Sequence, residues 1–196
     1  MAKAGGPIDI LLATYNGEAG LPAQLASLEA QSHTAWRLIA RDDGSTDGTV
    51  DLLRAFSERH PEQVEIVEDT LGNLRTLRNF ATLLGRSESP YCVFCDQDDV
   101  WDTDKLAVAF DAMEGLEARY GEDAPLMAVT DRRLTDPDGT VLAPSFWRNQ
   151  GVHPNAVDPR FGFFVYPCAA GSSMLMNAAL RALAQPIPDT AIQQSY

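Results

Sequence analysis

Asp96, Asp98 and Asp99 place three carboxylates within four positions, directly after the largely apolar run Tyr91-Cys92-Val93-Phe94-Cys95. Carboxylates this close repel one another unless a cation lies between them. Asp-x-Asp with oxygen-only ligands suits Mg2+ or Mn2+, which take hard oxygens and bind through one or two carboxylates together with substrate phosphates. A plainer use for such residues is capping, because a following helix presents the positive end of its dipole there. Asp96 and Asp98 are assigned to the metal, and Asp99 and Asp102 to the cap. Two further polar segments have the same character: Ala13-Thr14-Tyr15-Asn16-Gly17-Glu18 and Arg41-Asp42-Asp43-Gly44-Ser45-Thr46-Asp47-Gly48-Thr49. Taken singly, each is what any turn or helix start uses.

What positions these residues is an alternation of short apolar runs and helix-period segments over the first 130 residues. Residues 8–13, 38–40, 64–67, 91–95 and 126–130 read as strands. Between them, Leu21, Leu25 and Leu28, then Val50, Leu53 and Phe56, then Leu77, Phe80, Ala81 and Leu84, then Leu106, Phe110 and Met113 each share one helical face. Such alternation predicts an α/β fold with right-handed crossovers and a mostly parallel, Rossmann-like sheet flanked by helices. In sheets of that kind ligands collect at the carboxyl ends of the strands, where all three polar segments fall. After residue 130 the pattern changes. Asp136-Pro137-Asp138-Gly139 signals a turn between two short strands, residues 144–167 are aromatic and irregular, and residues 172–176 read as one more strand. Asn177 is placed to cap a short helix over residues 178–184.

Composition narrows the function. With 196 residues, 45% of them hydrophobic and 22% charged, the chain is an ordinary globular domain large enough to bury a core. Its 28 acidic residues against 15 basic ones give a net charge of −13, so its overall field repels nucleic acid and anionic lipid. Three cysteines make no disulfide framework. Cys92 and Cys95 have CxxC spacing, but positions three apart on a strand point to opposite faces, so they are expected to be reduced packing residues. There is neither an apolar run long enough to span a membrane nor a signal-peptide pattern, which points to a cytoplasmic chain that could act at the inner face of the membrane.

The three segments together, "ATYNGE", "DDGSTDGT" and "FCDQDDVWDTDKL", resemble family 2 glycosyltransferases of GT-A fold. "DQDDVW" with "LRNFATLL" upstream is similar to the branch containing rhamnosyltransferases and other enzymes of cell-surface polysaccharide assembly. The resemblance covers residues 7–190 and implies a nucleotide-sugar-binding half, residues 7–130, followed by a partial acceptor-binding half, residues 131–196. It departs from the usual pattern at Ala13, where Pro is common, and at Arg75, where a small residue is usual.

By resemblance, Asp43 would accept the N3–H of a uracil or thymine base, Tyr15 would line the base, and Thr14 would contact the nucleoside. Glu18 and Gln97 belong to the same donor-binding set. Asp98 would hold Mn2+ or Mg2+ directly, with Asp96 on the ribose or on the metal through water. Arg78 is either a phosphate or base-edge contact or part of a solvated helix face. Trp101 either walls the sugar pocket or is core. The implied partners are a UDP- or dTDP-sugar donor and a hydroxyl of a glycan or lipid-linked acceptor. The implied chemistry is inverting transfer through an oxocarbenium-like transition state.

A nucleotidyltransferase would show a Gly-rich basic loop near the N-terminus, which Ala2 to Pro7 matches poorly, and an aspartyl phosphatase would carry its acids after the first strand. A non-catalytic nucleotide-sugar-binding module remains a second reading. The resemblance also places a carboxylate base near Ser195, leaving Asp189 as the weak candidate, so a donor-binding core with poor transfer is expected of this chain.

Overall fold

The computed structural model describes residues 6–136, 138–152 and 170–188. Six strands form one sheet in the order β3-β2-β1-β4-β8-β5. β1 (Ile8–Thr14), β2 (Trp36–Asp42), β3 (Val64–Ile66) and β4 (Tyr91–Asp96) are mutually parallel. β2, β3 and β4 are each reached through a helix: α1 (Leu21–Glu29), α2 (Thr49–Arg59) and α3 (Arg75–Arg86). α4 (Lys105–Tyr120) then leads to β5 (Met127–Val129). The expected hairpin is β6 (Leu134–Thr135) with β7 (Val141–Ala143), turned by Asp136, whose carboxylate accepts the amides of Asp138 and Thr140. A short helix, α5 (Phe146–Asn149), follows it.

One strand breaks the parallel rule. β8 (Met174–Asn177) inserts antiparallel between β4 and β5, after a single 3-10 turn over Gly171–Ser173. Asn177 ends it as foreseen, its side chain accepting the Leu180 amide at the start of α6 (Ala178–Leu183).

The strand side chains alternate between two cores, as a period of two requires. Ile8, Ile10, Leu12, Val93 and Cys95 pack with α1, α2 and α4, whereas Leu11, Ile39, Cys92 and Met176 pack with Leu83 and Leu84 of α3. Cys92 and Cys95 are therefore on opposite faces, both free and buried, and their spacing serves packing. Register does the functional work. Ala13 pairs with Arg41 on one side and Asp96 on the other, so the polar ends of β1, β2 and β4 arrive side by side.

Candidate functional site

At that edge a cavity of about 240 Å3 is lined by Ala13, Thr14, Tyr15, Asp43, Thr76, Asn79, Phe80, Asp96, Gln97 and Asp98. Six of the residues expected from sequence converge here: Thr14, Tyr15, Asp43, Asp96, Gln97 and Asp98. Glu18 and Arg78 do not line it, and Asp189 lies outside the described residues. Thr76, Asn79 and Phe80 were missed. All three belong to α3, whose start lies against Asp43, and the string "LRNF" contains Asn79 and Phe80 but not Thr76.

Much of the polar content of the first two segments builds the wall itself. The loops after β1 and β2 are joined by a ladder of hydrogen bonds. Thr14 donates its hydroxyl to Asp42, Asn16 N–H reaches Ser45 Oγ, Thr46 N–H reaches Asn16 Oδ1, and Gly17 N–H reaches Thr49 Oγ1. Glu18 accepts the Gly48 amide at 3.0 Å, at the start of α2, which is where an anionic group is favoured. Asp42 takes the Gly44 and Ser45 amides and fixes the turn. Asp43, its neighbour on the strand, points the other way and is 2% exposed.

Gln97 also has a definite structural task. Its amide accepts the Tyr15 N–H at 2.8 Å and donates to the Tyr15 carbonyl at 3.1 Å, extending the contact between β1 and β4 by one residue. This holds the backbone of Tyr15, a residue 50% exposed whose ring offers a flat face at the cavity. The clamp requires Gly17, where an added Cβ would lie 2.3 Å from Gln97 Oε1. Gly17→Ala is therefore expected to swing Gln97 away, costing about 1–3 kcal/mol for two lost hydrogen bonds and the amide left unpaired. Thermal unfolding reads this directly, and an unchanged midpoint would refute the clamp.

The acids after β4 divide differently from expectation. Asp98 is exposed and Asp96 half-buried. Burial pushes Asp96 up to about 6, reinforced by the charges of Asp99 and Asp98 and opposed by a hydrogen bond from Ser172. Crowded carboxylates of this kind are what a divalent cation would relieve. Among the described residues no three metal-ligating side chains converge on one point. The fit is thus to a hard cation held by one or two carboxylates, Asp98 and Asp96, with the remaining ligands from a bound diphosphate. The capping assignment for Asp99 and Asp102 does not hold. Asp104 occupies the N-cap of α4 with no side-chain bond to it, and Asp102 pairs through its side chain with Arg133. The helix begins later than the acids do, so their charge is left to the loop. Trp101 is 5% exposed and packs in the core beside α4, with Lys105 4.8 Å above its ring, so it does not wall this cavity.

This architecture is a GT-A fold. The solved structure of mannosyltransferase PcManGT from Pyrobaculum calidifontis, in complex with GDP-Man and Mn2+, matches 92% of this chain and 47% of its own, with a TM-score of 0.62 at 18% identity. The description Glycosyl transferase family 2 matches residues 9–121, and the chain belongs to that family. Of its curated relatives, TuaG of Bacillus subtilis (strain 168), named as a teichuronic acid biosynthesis glycosyltransferase, is 34% identical over 69% of this chain and 50% of the relative. The dTDP-rhamnosyl transferase RfbG of Shigella flexneri is 31% identical over 52% of this chain and 36% of the relative. The chain thus spans half or less of the length of the curated relatives it matches.

Proposed function

We propose that this chain binds a UDP- or dTDP-sugar together with Mn2+ or Mg2+ and serves inverting transfer of that sugar to a hydroxyl of a glycan or lipid-linked acceptor. The observation that carries the reading is the convergence of Thr14, Tyr15, Asp43, Asp96 and Asp98 on one cavity at the sheet's carboxyl edge. Residues 7–130 form the donor half in this reading and residues 131–196 contribute to the acceptor half. The RfbG name supports a dTDP-sugar, with rhamnose as one candidate, and the TuaG name supports a cell-surface polymer as product. Among the described residues no helix is long and apolar enough to cross a membrane.

The chain's own groups divide the work. Tyr15 offers its ring to the base, Asp43 accepts the imide N–H, and Thr14 and Asp96 face the ribose. A metal on Asp98 would neutralise charge on the departing diphosphate, so no protein acid is required there. The acceptor oxygen forms its bond to the anomeric carbon as the bond to the diphosphate oxygen breaks on the opposite face, and a carboxylate must take the hydroxyl proton. Asp189 is the candidate for that base.

Equilibrium binding of UDP and CDP with Mn2+ tests the reading. Asp43→Asn keeps the size of the side chain but presents an NH2 where an acceptor was. It is expected to weaken UDP by about 1–3 kcal/mol, the cost of a mismatched buried donor, and to weaken CDP less. Equal loss for both bases would remove Asp43 from base recognition.

A further inference from the structure

Arg41 is an arginine at the end of a buried strand, with its side chain 2% exposed. Its guanidinium makes five hydrogen bonds. Asp69 receives Nε at 2.8 Å and Nη2 at 3.0 Å as a fork, and the Gly72 carbonyl receives Nη2 at 3.0 Å. Nη1 donates to Asn79 Oδ1 at 3.2 Å and to Asp43 Oδ1 at 2.7 Å. The same Oδ1 of Asp43 also accepts the Leu74 amide at 2.7 Å, so both of its lone-pair directions are used. Among the described residues Oδ2 accepts only the Arg75 amide, at 2.7 Å, which leaves it one lone pair.

We infer that Arg41, locked by Asp69, is a positioning residue that sets the base preference of the donor site by leaving Asp43 a single open acceptor. This rests on reading the cavity as a nucleotide-sugar site. Uracil and thymine present one imide N–H between two carbonyls, and one open acceptor matches one donor. Guanine presents N1–H beside a 2-amino group and needs both carboxylate oxygens, of which Oδ1 is closed. Cytosine turns an acceptor, N3, toward an anionic oxygen. The arrangement therefore rejects guanine by occupancy and cytosine by repulsion, and discrimination built on unpaired groups is strong. Asp69 is not among the residues that line the cavity; it acts on Asp43 through Arg41, and its Oδ1 also accepts the Leu71 amide at 3.0 Å in the loop that leads to Leu74 and Arg75.

The test is equilibrium binding of UDP, dTDP, CDP and GDP, each with Mn2+, to this chain and to its Asp69→Asn and Arg41→Lys variants. Asp69→Asn keeps the shape of the fork but removes the charge that holds it. Arg41→Lys keeps the charge, but one ammonium cannot reach Asp69, Asn79 and Asp43 together. The unaltered chain is expected to favour UDP and dTDP over GDP and CDP by at least about tenfold. In either folded variant the UDP-to-GDP ratio is expected to fall by about tenfold, the weight of one charge-assisted hydrogen bond. Binding of Mn2+ with pyrophosphate should not change. A purely structural role would lower the unfolding midpoint and leave the ratio alone, and that result in both variants overturns the inference. Equal binding of UDP and GDP by the unaltered chain overturns it as well. Binding of none of the four removes the donor-site reading and this inference with it.

Discussion

Asp98→Asn is expected to abolish the Mn2+-dependent stabilisation of this protein by UDP or dTDP while leaving the free protein as stable as before. A ligand at 100 times its Kd adds about 2.7 kcal/mol to the native state. For a domain of this size that raises the unfolding midpoint by about 5–10 °C. Asp98 is exposed, and among the described residues its side chain has no hydrogen bond or ion pair, so its replacement should move the free protein by no more than about 0.5 kcal/mol. What it removes is the accessible charge of the pair at the end of β4. Asp96 is half-buried, and burial with the neighbouring charges of Asp99 and Asp98 pushes its carboxyl up to about 6, so Asp98 is the more accessible of the two acids. Chelating the metal from the unaltered protein should reproduce the variant. Equal stabilisation of the unaltered protein in EDTA would exclude metal-assisted donor binding.

The parallel part of the sheet was readable because each strand is short, apolar and followed by a helical face, and these are local properties. The insertion of β8 between β4 and β5 was not readable. It depends on Met176 meeting Cys92 and Met127, pairings between distant segments that no local pattern encodes. The site shows the same division. Its location followed from three polar strand ends, but the tasks of individual residues did not. Glu18, Asp42 and Gln97 are chemically suited to ligands, and the fold uses them to join one loop to another. Asp42 and Asp43 are adjacent and identical in type. Only strand alternation separates them, sending one carboxylate into a turn and the other toward α3. Arg41 escaped notice because an arginine in a strand ordinarily faces water, and its partner Asp69 is 28 residues away. Arg75 takes a left-handed backbone conformation, with φ at 62°, and its amide is one of the donors to Asp43.

Asp9 is another charge hidden in an apolar run, and its loss is expected to destabilise the sheet strongly. Its residue exposure is 0%, and its two oxygens accept six hydrogen bonds. Two come from Arg37 Nε and Nη2, and four from Ser87 Oγ, the Glu88 amide, the Ser89 amide and Ser89 Oγ. Asp9 thereby pins the turn that feeds β4 to the start of β1, and so sets the register that later brings Ala13 beside Asp96. Asp9→Ala leaves Arg37, 35% exposed, with Glu65 at 4.0 Å as its remaining ion-pair partner among the described residues, and strands the Ser87, Glu88 and Ser89 donors, at a cost of about 3 kcal/mol. Burial acts to raise the Asp9 carboxyl, but the hydrogen bonds from Arg37, Ser89 and Ser87 outweigh it and hold it below the usual carboxylate range. A carboxylate with a lowered folded value contributes stability above its unfolded value, about 3.9, and loses that contribution as the pH falls through the folded value. The stability gap between the unaltered protein and Asp9→Ala should therefore be flat from about pH 5 to 7 and narrow below about pH 4. Denaturant unfolding at a series of pH values measures it. A gap under about 1 kcal/mol at neutral pH, or one that stays constant into strong acid, would show that Asp9 does not carry this junction. Because β1 separates Asp9 from Thr14 by about 16 Å, at about 3.3 Å per residue, nucleotide affinity of the folded variant should stay unchanged.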